Sequence, residues 1–134
     1  MNTKWKTIFL VDDNASNLIA GRNALSDVYN VYTCNSGARM FKLLEKITPD
    51  LILLDVEMPE MDGYEAITQL KGSQRTADIP TIFLTAHGDD QTKARGHVLG
   101  AADCITKPFS PPLLLARIEA QLGKTGEKRA ECEN

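Results

Sequence analysis

Apolar and polar positions alternate along the chain in two periods. Thr7–Val11 (TIFLV) is a short β-rich run that stops at Asp12 and Asp13. From Ser16 to Val28, Leu18, Gly21, Leu25 and Val28 recur at helical spacing. Val31–Thr33 predicts a second, weaker strand. Met40, Leu43, Leu44 and Ile47 then share a helical face, and Pro49 is expected to end that helix. Leu51–Leu54 (LILL) is continuously apolar, as a strand covered on both sides should be, and Asp55 closes it. A turn-like stretch from Met58 to Gly63 leads into a helix carrying Tyr64, Ile67 and Leu70. Pro80 introduces a fourth strand, Thr81–Leu84. A helix is predicted over Asp89–Leu99, with Ala94 and Val98 facing inward and Gly100 at its end. Cys104–Thr106 is the fifth strand. Ser110 then fits an N-cap and Pro111 the first helical position, before Leu114, Leu115, Ile118 and Leu122.

Strands alternating with helices in this way predict an α/β fold: a five-stranded parallel sheet, doubly wound with helices on both faces. The 134 residues suit one domain, which we place at residues 1–123. Residues 124–134 read as a polar C-terminal tail or a truncated linker. The net charge of -3 argues against the basic face that direct nucleic-acid binding needs. No apolar run is long enough for a membrane helix, and the stretch after Lys6 is too short for a signal peptide. The expected location is the cytoplasm. Cys34, Cys104 and Cys132 are odd in number and widely spaced, so they are read as buried or spare thiols, not as a disulfide framework or zinc site. Neither G-x-G-x-x-G nor G-x-x-x-x-G-K-[ST] occurs, which leaves no support for a mononucleotide-binding domain.

The polar residues at the strand ends carry the chemistry. Ligands of open parallel sheets bind at the carboxyl ends of the strands. Asp12 and Asp13 follow the first strand, Asp55 the third, Thr85 the fourth and Lys107 the fifth. All five are therefore expected on one rim. Two carboxylates about 4 Å apart repel by roughly 4 kcal/mol at an effective dielectric near 20, so a cation should sit among them. Hard oxygen ligands of this kind suit Mg²⁺, which keeps waters and bridges to phosphate. Lys107 adds a compact positive charge suited to a phosphoryl oxygen, and Thr85 adds a hydroxyl donor. A carboxylate nucleophile, a divalent metal, an ammonium and a hydroxyl together make a site for an aspartyl phosphate.

Asp12-Asp13, Asp55, Met58-Pro59, Asp62-Gly63, Thr85-Ala86, Gly100-Ala101 and Lys107-Pro108-Phe109 together resemble the signature of the bacterial response-regulator receiver family, the chemotaxis-receiver-like modules of two-component systems. The likeness runs from about Lys6 to Leu122. It implies a (βα)5, flavodoxin-like fold with strand order 2-1-3-4-5. It implies Asp55 as phosphoacceptor, with Asp13, Asp55 and the main-chain carbonyl of Glu57 as Mg²⁺ ligands and Asp12 acting through bound water. Lys107 would hold a phosphoryl oxygen, Thr85 would turn its hydroxyl to the phosphoryl group, and the small Ala86 would leave room for the donor. The Lys107–Pro108 bond is expected cis. Glu57 and His87 are expected to tune the phosphoryl lifetime. The family usually carries an aromatic residue or histidine where this chain has Cys104, so the aromatic half of the family's switch is missing here while Thr85 is kept.

The implied function is phosphorylation-dependent signalling. A sensor histidine kinase or histidine phosphotransfer protein would supply the phosphoryl group to Asp55, and the chain would do chemistry only on itself. A homodimer through the fourth helix, fifth strand and fifth helix is a further implied partner surface. Two other readings stand beside it. One is a small-molecule phosphatase working through an aspartyl phosphate, with Glu57 in the acid/base position. The other is an interaction module independent of phosphorylation.

Overall fold

The computed structural model describes residues 5–133, with side chains described through Gly123. Five strands and five helices alternate: β1 (Thr7–Val11), α1 (Ala15–Leu25), β2 (Asn30–Cys34), α2 (Gly37–Leu44), β3 (Leu51–Asp55), α3 (Gly63–Lys71), β4 (Thr81–Thr85), α4 (Asp90–Leu99), β5 (Asp103–Thr106) and α5 (Pro111–Glu133). All pairings are parallel and the order is β2-β1-β3-β4-β5. This is the predicted doubly wound topology.

The period of two along each strand divides the core between the two faces of the sheet. Ile8, Leu10, Leu51, Leu53, Ile82 and Leu84 point to the side where α1 and α5 deliver Leu25, Leu114 and Ile118. Phe9, Val11, Ile52, Leu54 and Phe83 point to the other side, against Met40, Ala66, Ile67 and Leu70 of α2 and α3. β3 and β4 are buried along their whole length, as central strands covered twice must be. Short polar caps start the helices. Asn14, Ser36, Asp62 and Asp89 each accept a backbone N–H from the first turn of α1 to α4, and Ser110 Oγ accepts from Leu113 N at 3.2 Å.

Three local expectations change. α2 stops at Leu44, five residues before Pro49, because Lys46 and Ile47 both donate to the Leu43 carbonyl and tighten the chain into a turn. α1 ends at Leu25, and Val28 lies beyond it, half exposed. On α4 the inward residues are not Ala94 and Val98: both are exposed, Val98 at 82%. The face turned to the sheet carries Thr92, Gly96 and Leu99 instead. Gly96 decides this. A Cβ there would stand 2.8 Å from the Phe83 ring, so only glycine lets α4 settle on β4. A helix whose buried residue is glycine has no apolar stripe to read. The backbone of α5 runs on to Glu133, through most of the expected polar tail; the side chains of 124–134, Cys132 included, lie outside those described.

Candidate functional site at the carboxyl rim of the sheet

Parallel strands end on one edge, so their C-terminal residues converge there. Asp12 follows β1 and is fully buried; its Oδ1 accepts the Asn14 N–H at 2.9 Å, which holds the carboxylate in place at the start of α1. Asp13 beside it is exposed. Asp55 is the last residue of β3 and 1% exposed. One carboxylate oxygen from each of Asp12, Asp13 and Asp55 lies within 4.8 Å of the others. These are hard oxygen donors, some buried and one open to water, which fits a Mg²⁺ ion that retains part of its hydration.

Lys107 reaches this cluster from the loop after β5. Its ammonium donates to Asp55 Oδ1 at 2.9 Å and to Asp12 Oδ2 at 3.3 Å. The following Lys107–Pro108 bond is cis, as expected. Burial pushes the Asp55 carboxyl up to about 7; the Lys107 hydrogen bond opposes this and the Asp12 charge adds to it. Burial also works against the Lys107 ammonium, but the hydrogen bonds and charges of Asp55 and Asp12 outweigh it, and its pKa rises. The two directions are consistent. One ammonium serves two carboxylates, so the lysine gains while Asp55, the more desolvated partner, remains under-compensated.

Thr85 ends β4 and is fully buried. Its hydroxyl donates to Glu57 Oε2 at 2.9 Å and accepts the His87 N–H at 2.9 Å. The Ala86 N–H donates to the other oxygen, Glu57 Oε1, at 3.1 Å. Thus Glu57, exposed in the loop after β3, is drawn to the end of β4. The His87 side chain is exposed, and the backbone of that residue makes the contact with Thr85. The family resemblance named Glu57; its bridge to Thr85 and Ala86 left no mark in the sequence.

Cys104 is set apart from the rim. It is half-buried in a cavity of about 240 Å³ between α4 and β5, lined also by Lys93, Gly96, His97, Asp103 and Arg117. Burial raises its thiol pKa. A raised pKa disfavours the thiolate, the reactive form of the side chain. Cys34 is buried, and burial pushes its thiol up to about 11. Tyr64 and Phe109 are packing residues. Tyr64 meets Phe83 edge-on at 5.6 Å under the Arg95 guanidinium, and Phe109 packs against the α1–α5 side of the core. Met58 is buried and Met61 packs on the same cluster, so the loop methionines also serve packing.

Fold and rim together define a doubly wound α/β domain with a cation-receptive acidic site at the strand ends. A family model described as the response regulator receiver domain matches residues 8–119, and the chain belongs to that family. It is 40% identical over 129 residues to the phosphate regulon transcriptional regulatory protein PhoB of Pseudomonas aeruginosa, covering 95% of this chain and 56% of that protein. It is also 40% identical over 116 residues to a probable cyclic di-GMP phosphodiesterase of Vibrio cholerae, covering 87% of this chain but 26% of the relative. Among solved structures, a putative response regulator from Chloroflexus aurantiacus superposes with a TM-score of 0.85 at 31% identity, over 89% of this chain and 98% of that one. The chemotaxis protein CheY4 of Vibrio cholerae gives a TM-score of 0.83 at 28% identity, over 87% and 98%. The chain spans from about a quarter to about half the length of the curated relatives it matches first. Among the described residues, no helix is long and apolar enough to cross a membrane.

Proposed function

We propose that the chain is a cytoplasmic phosphoacceptor that takes a phosphoryl group on Asp55 from a phosphohistidine of a sensor histidine kinase or phosphotransfer protein, with Mg²⁺ bound. An Asp55 carboxylate oxygen would attack phosphorus as the N–P bond breaks, and the leaving imidazole would pick up a proton. Asp13, Asp55 and the Glu57 main-chain carbonyl would hold the metal, with Asp12 acting through water. The metal supplies charge neutralisation for the incoming phosphoryl oxygens. Lys107 would keep one of those oxygens in place, and Ala86, which adds no side chain beyond a methyl at the approach, would leave the donor room. The phosphorylated form would favour a different arrangement of the α4–β5–α5 face, where a second copy or a response partner would dock.

The observation that carries this reading is the Lys107 ammonium held between Asp55 and Asp12 beside a third carboxylate. That arrangement favours phosphoryl capture over a module that binds partners without phosphorylation. Incubation with acetyl phosphate and Mg²⁺ should add one phosphoryl group per chain, and chelation of the metal should prevent it. An unmodified mass after prolonged incubation with both reagents rejects the proposal.

Two further outcomes follow from the same site. With its carboxyl pushed up to about 7, Asp55 carries a proton through much of the mildly acidic range, and a metal must displace it. Mg²⁺ affinity measured by calorimetry should therefore fall by about tenfold per unit as pH drops below that value, with one proton released per ion bound. A pH-independent affinity between pH 5 and pH 8 contradicts this. Separately, replacing Glu57 or His87 should alter the decay rate of the phosphorylated form while phosphorylation still occurs. Decay curves that overlay the parent in both variants count against the lifetime role.

A further inference from the structure

We infer that the Glu57 carboxylate is a built-in occupant of the oxyanion donors at the end of β4, and that a phosphoryl group arriving on Asp55 must displace it to engage them. This rests on the phosphoacceptor reading of Asp55 and adds a competing ligand within the chain.

The donors at issue are the Thr85 hydroxyl and the Ala86 N–H. A hydroxyl has one proton to give, and a backbone amide one. Both are directed at the two oxygens of a single carboxylate, at 2.9 and 3.1 Å. Thr85 is fully buried, and its oxygen already accepts from His87 N at 2.9 Å. One of its two lone pairs is thereby engaged. Its single proton is what it can offer an anion, and the donor oxygen lies 2.9 Å from Glu57 Oε2 but 3.4 Å from the His87 carbonyl. While Glu57 holds that proton, a phosphoryl oxygen cannot take it. Glu57 is itself exposed, so its carboxylate can leave for water without a burial penalty. It also sits two residues after Asp55, whose Oδ1 accepts the Glu57 N–H at 3.3 Å. Glu57 therefore lies in the loop that starts at Asp55, and β3 and β4, which end in Asp55 and Thr85, are paired neighbours in the sheet. A negatively charged acceptor makes these bonds stronger than neutral ones. Displacement thus has a cost that the phosphorylated state must overcome, and Glu57 sets how readily Thr85 is recruited.

Beryllofluoride at saturating Mg²⁺ is the probe. Glu57→Ala should bind it about tenfold more tightly than the parent chain, the equivalent of roughly one charge-assisted hydrogen bond released from competition. In a Thr85→Ala background the same substitution should give about threefold or less, since only the Ala86 N–H remains to be freed. An equal gain in both backgrounds means that Glu57 acts by general charge repulsion, and overturns the inference; so does no gain in either. A second readout needs no variant. The carbon-13 carboxyl resonance of Glu57 in the parent chain should shift as beryllofluoride is added, and a resonance that stays put overturns the inference too. Failure of the parent chain to bind beryllofluoride at all rejects both this inference and the phosphoacceptor proposal.

Discussion

Asp55→Asn is expected to take up no phosphoryl group from acetyl phosphate under conditions that modify the parent chain stoichiometrically. The amide keeps the shape of the carboxyl group but has no anionic oxygen to attack phosphorus. Mass spectrometry reads the result directly, and labelling of the variant at the parent rate would assign the acceptor elsewhere. The same substitution should raise stability in the absence of metal. A carboxyl whose folded-state pKa is lifted above its unfolded value binds its proton more tightly when folded. Stability from that group therefore falls as pH rises from about 4, the unfolded value, to about 7, the folded one. At pH 8 the parent chain bears the full cost of an ionised, buried Asp55, and the variant bears none. Asp55→Asn should thus be more stable by about 1–3 kcal/mol at pH 8, with the gap closing toward pH 4. Denaturant titrations at the two pH values decide it. Saturating Mg²⁺ should shrink the gap as well, because the metal stabilises the carboxylate and binds the folded state.

Gly63→Ala should be the most damaging small change at the rim. The Gly63 N–H donates to the Val56 carbonyl at 2.8 Å, which lays the first turn of α3 over the end of β3. A Cβ at this position would stand 2.6 Å from the Asp55 carbonyl oxygen and 2.8 Å from the Val56 Cα. Both are backbone atoms and cannot rotate away. α3 would have to lift off the strand end, at a cost of about 2 kcal/mol and a Tm loss on the order of 6–8 °C. Because the shift moves the backbone of Asp55 itself, phosphorylation should slow as well. Gly123→Ala provides the contrast. Nothing lies within 4 Å of a Cβ there, so alanine should add about 0.5–1 kcal/mol through helix propensity alone. Equal thermal shifts for the two variants would show that crowding at β3 is not what requires Gly63.

The rim was legible because it is a property of chain order. Each strand is a short apolar run that ends in a polar residue, and parallel strands place all such ends on one edge. Asp12, Asp55, Thr85 and Lys107 could be nominated from that alone. The inward face of α4 could not, because its buried residue is Gly96 and glycine carries no hydropathy signal. The end of α2 was misplaced because Pro49 is the visible stop, whereas the turn at Leu43 is made by backbone bonds that any sequence can form.

The alternation of periods along this chain is enough to determine the layered α/β sheet and the identity of its strand-end side chains, since both follow from local patterning. Which of those side chains touch was decided by the tertiary structure. Lys107 meets Asp55 and Asp12, 52 and 95 residues away, because β3 and β4 lie between β1 and β5 and a long side chain spans the gap. Glu57 meets Thr85 and Ala86 because β3 and β4 are neighbours in register. Such contacts depend on strand order and backbone position across the sheet, which no local stretch of sequence encodes.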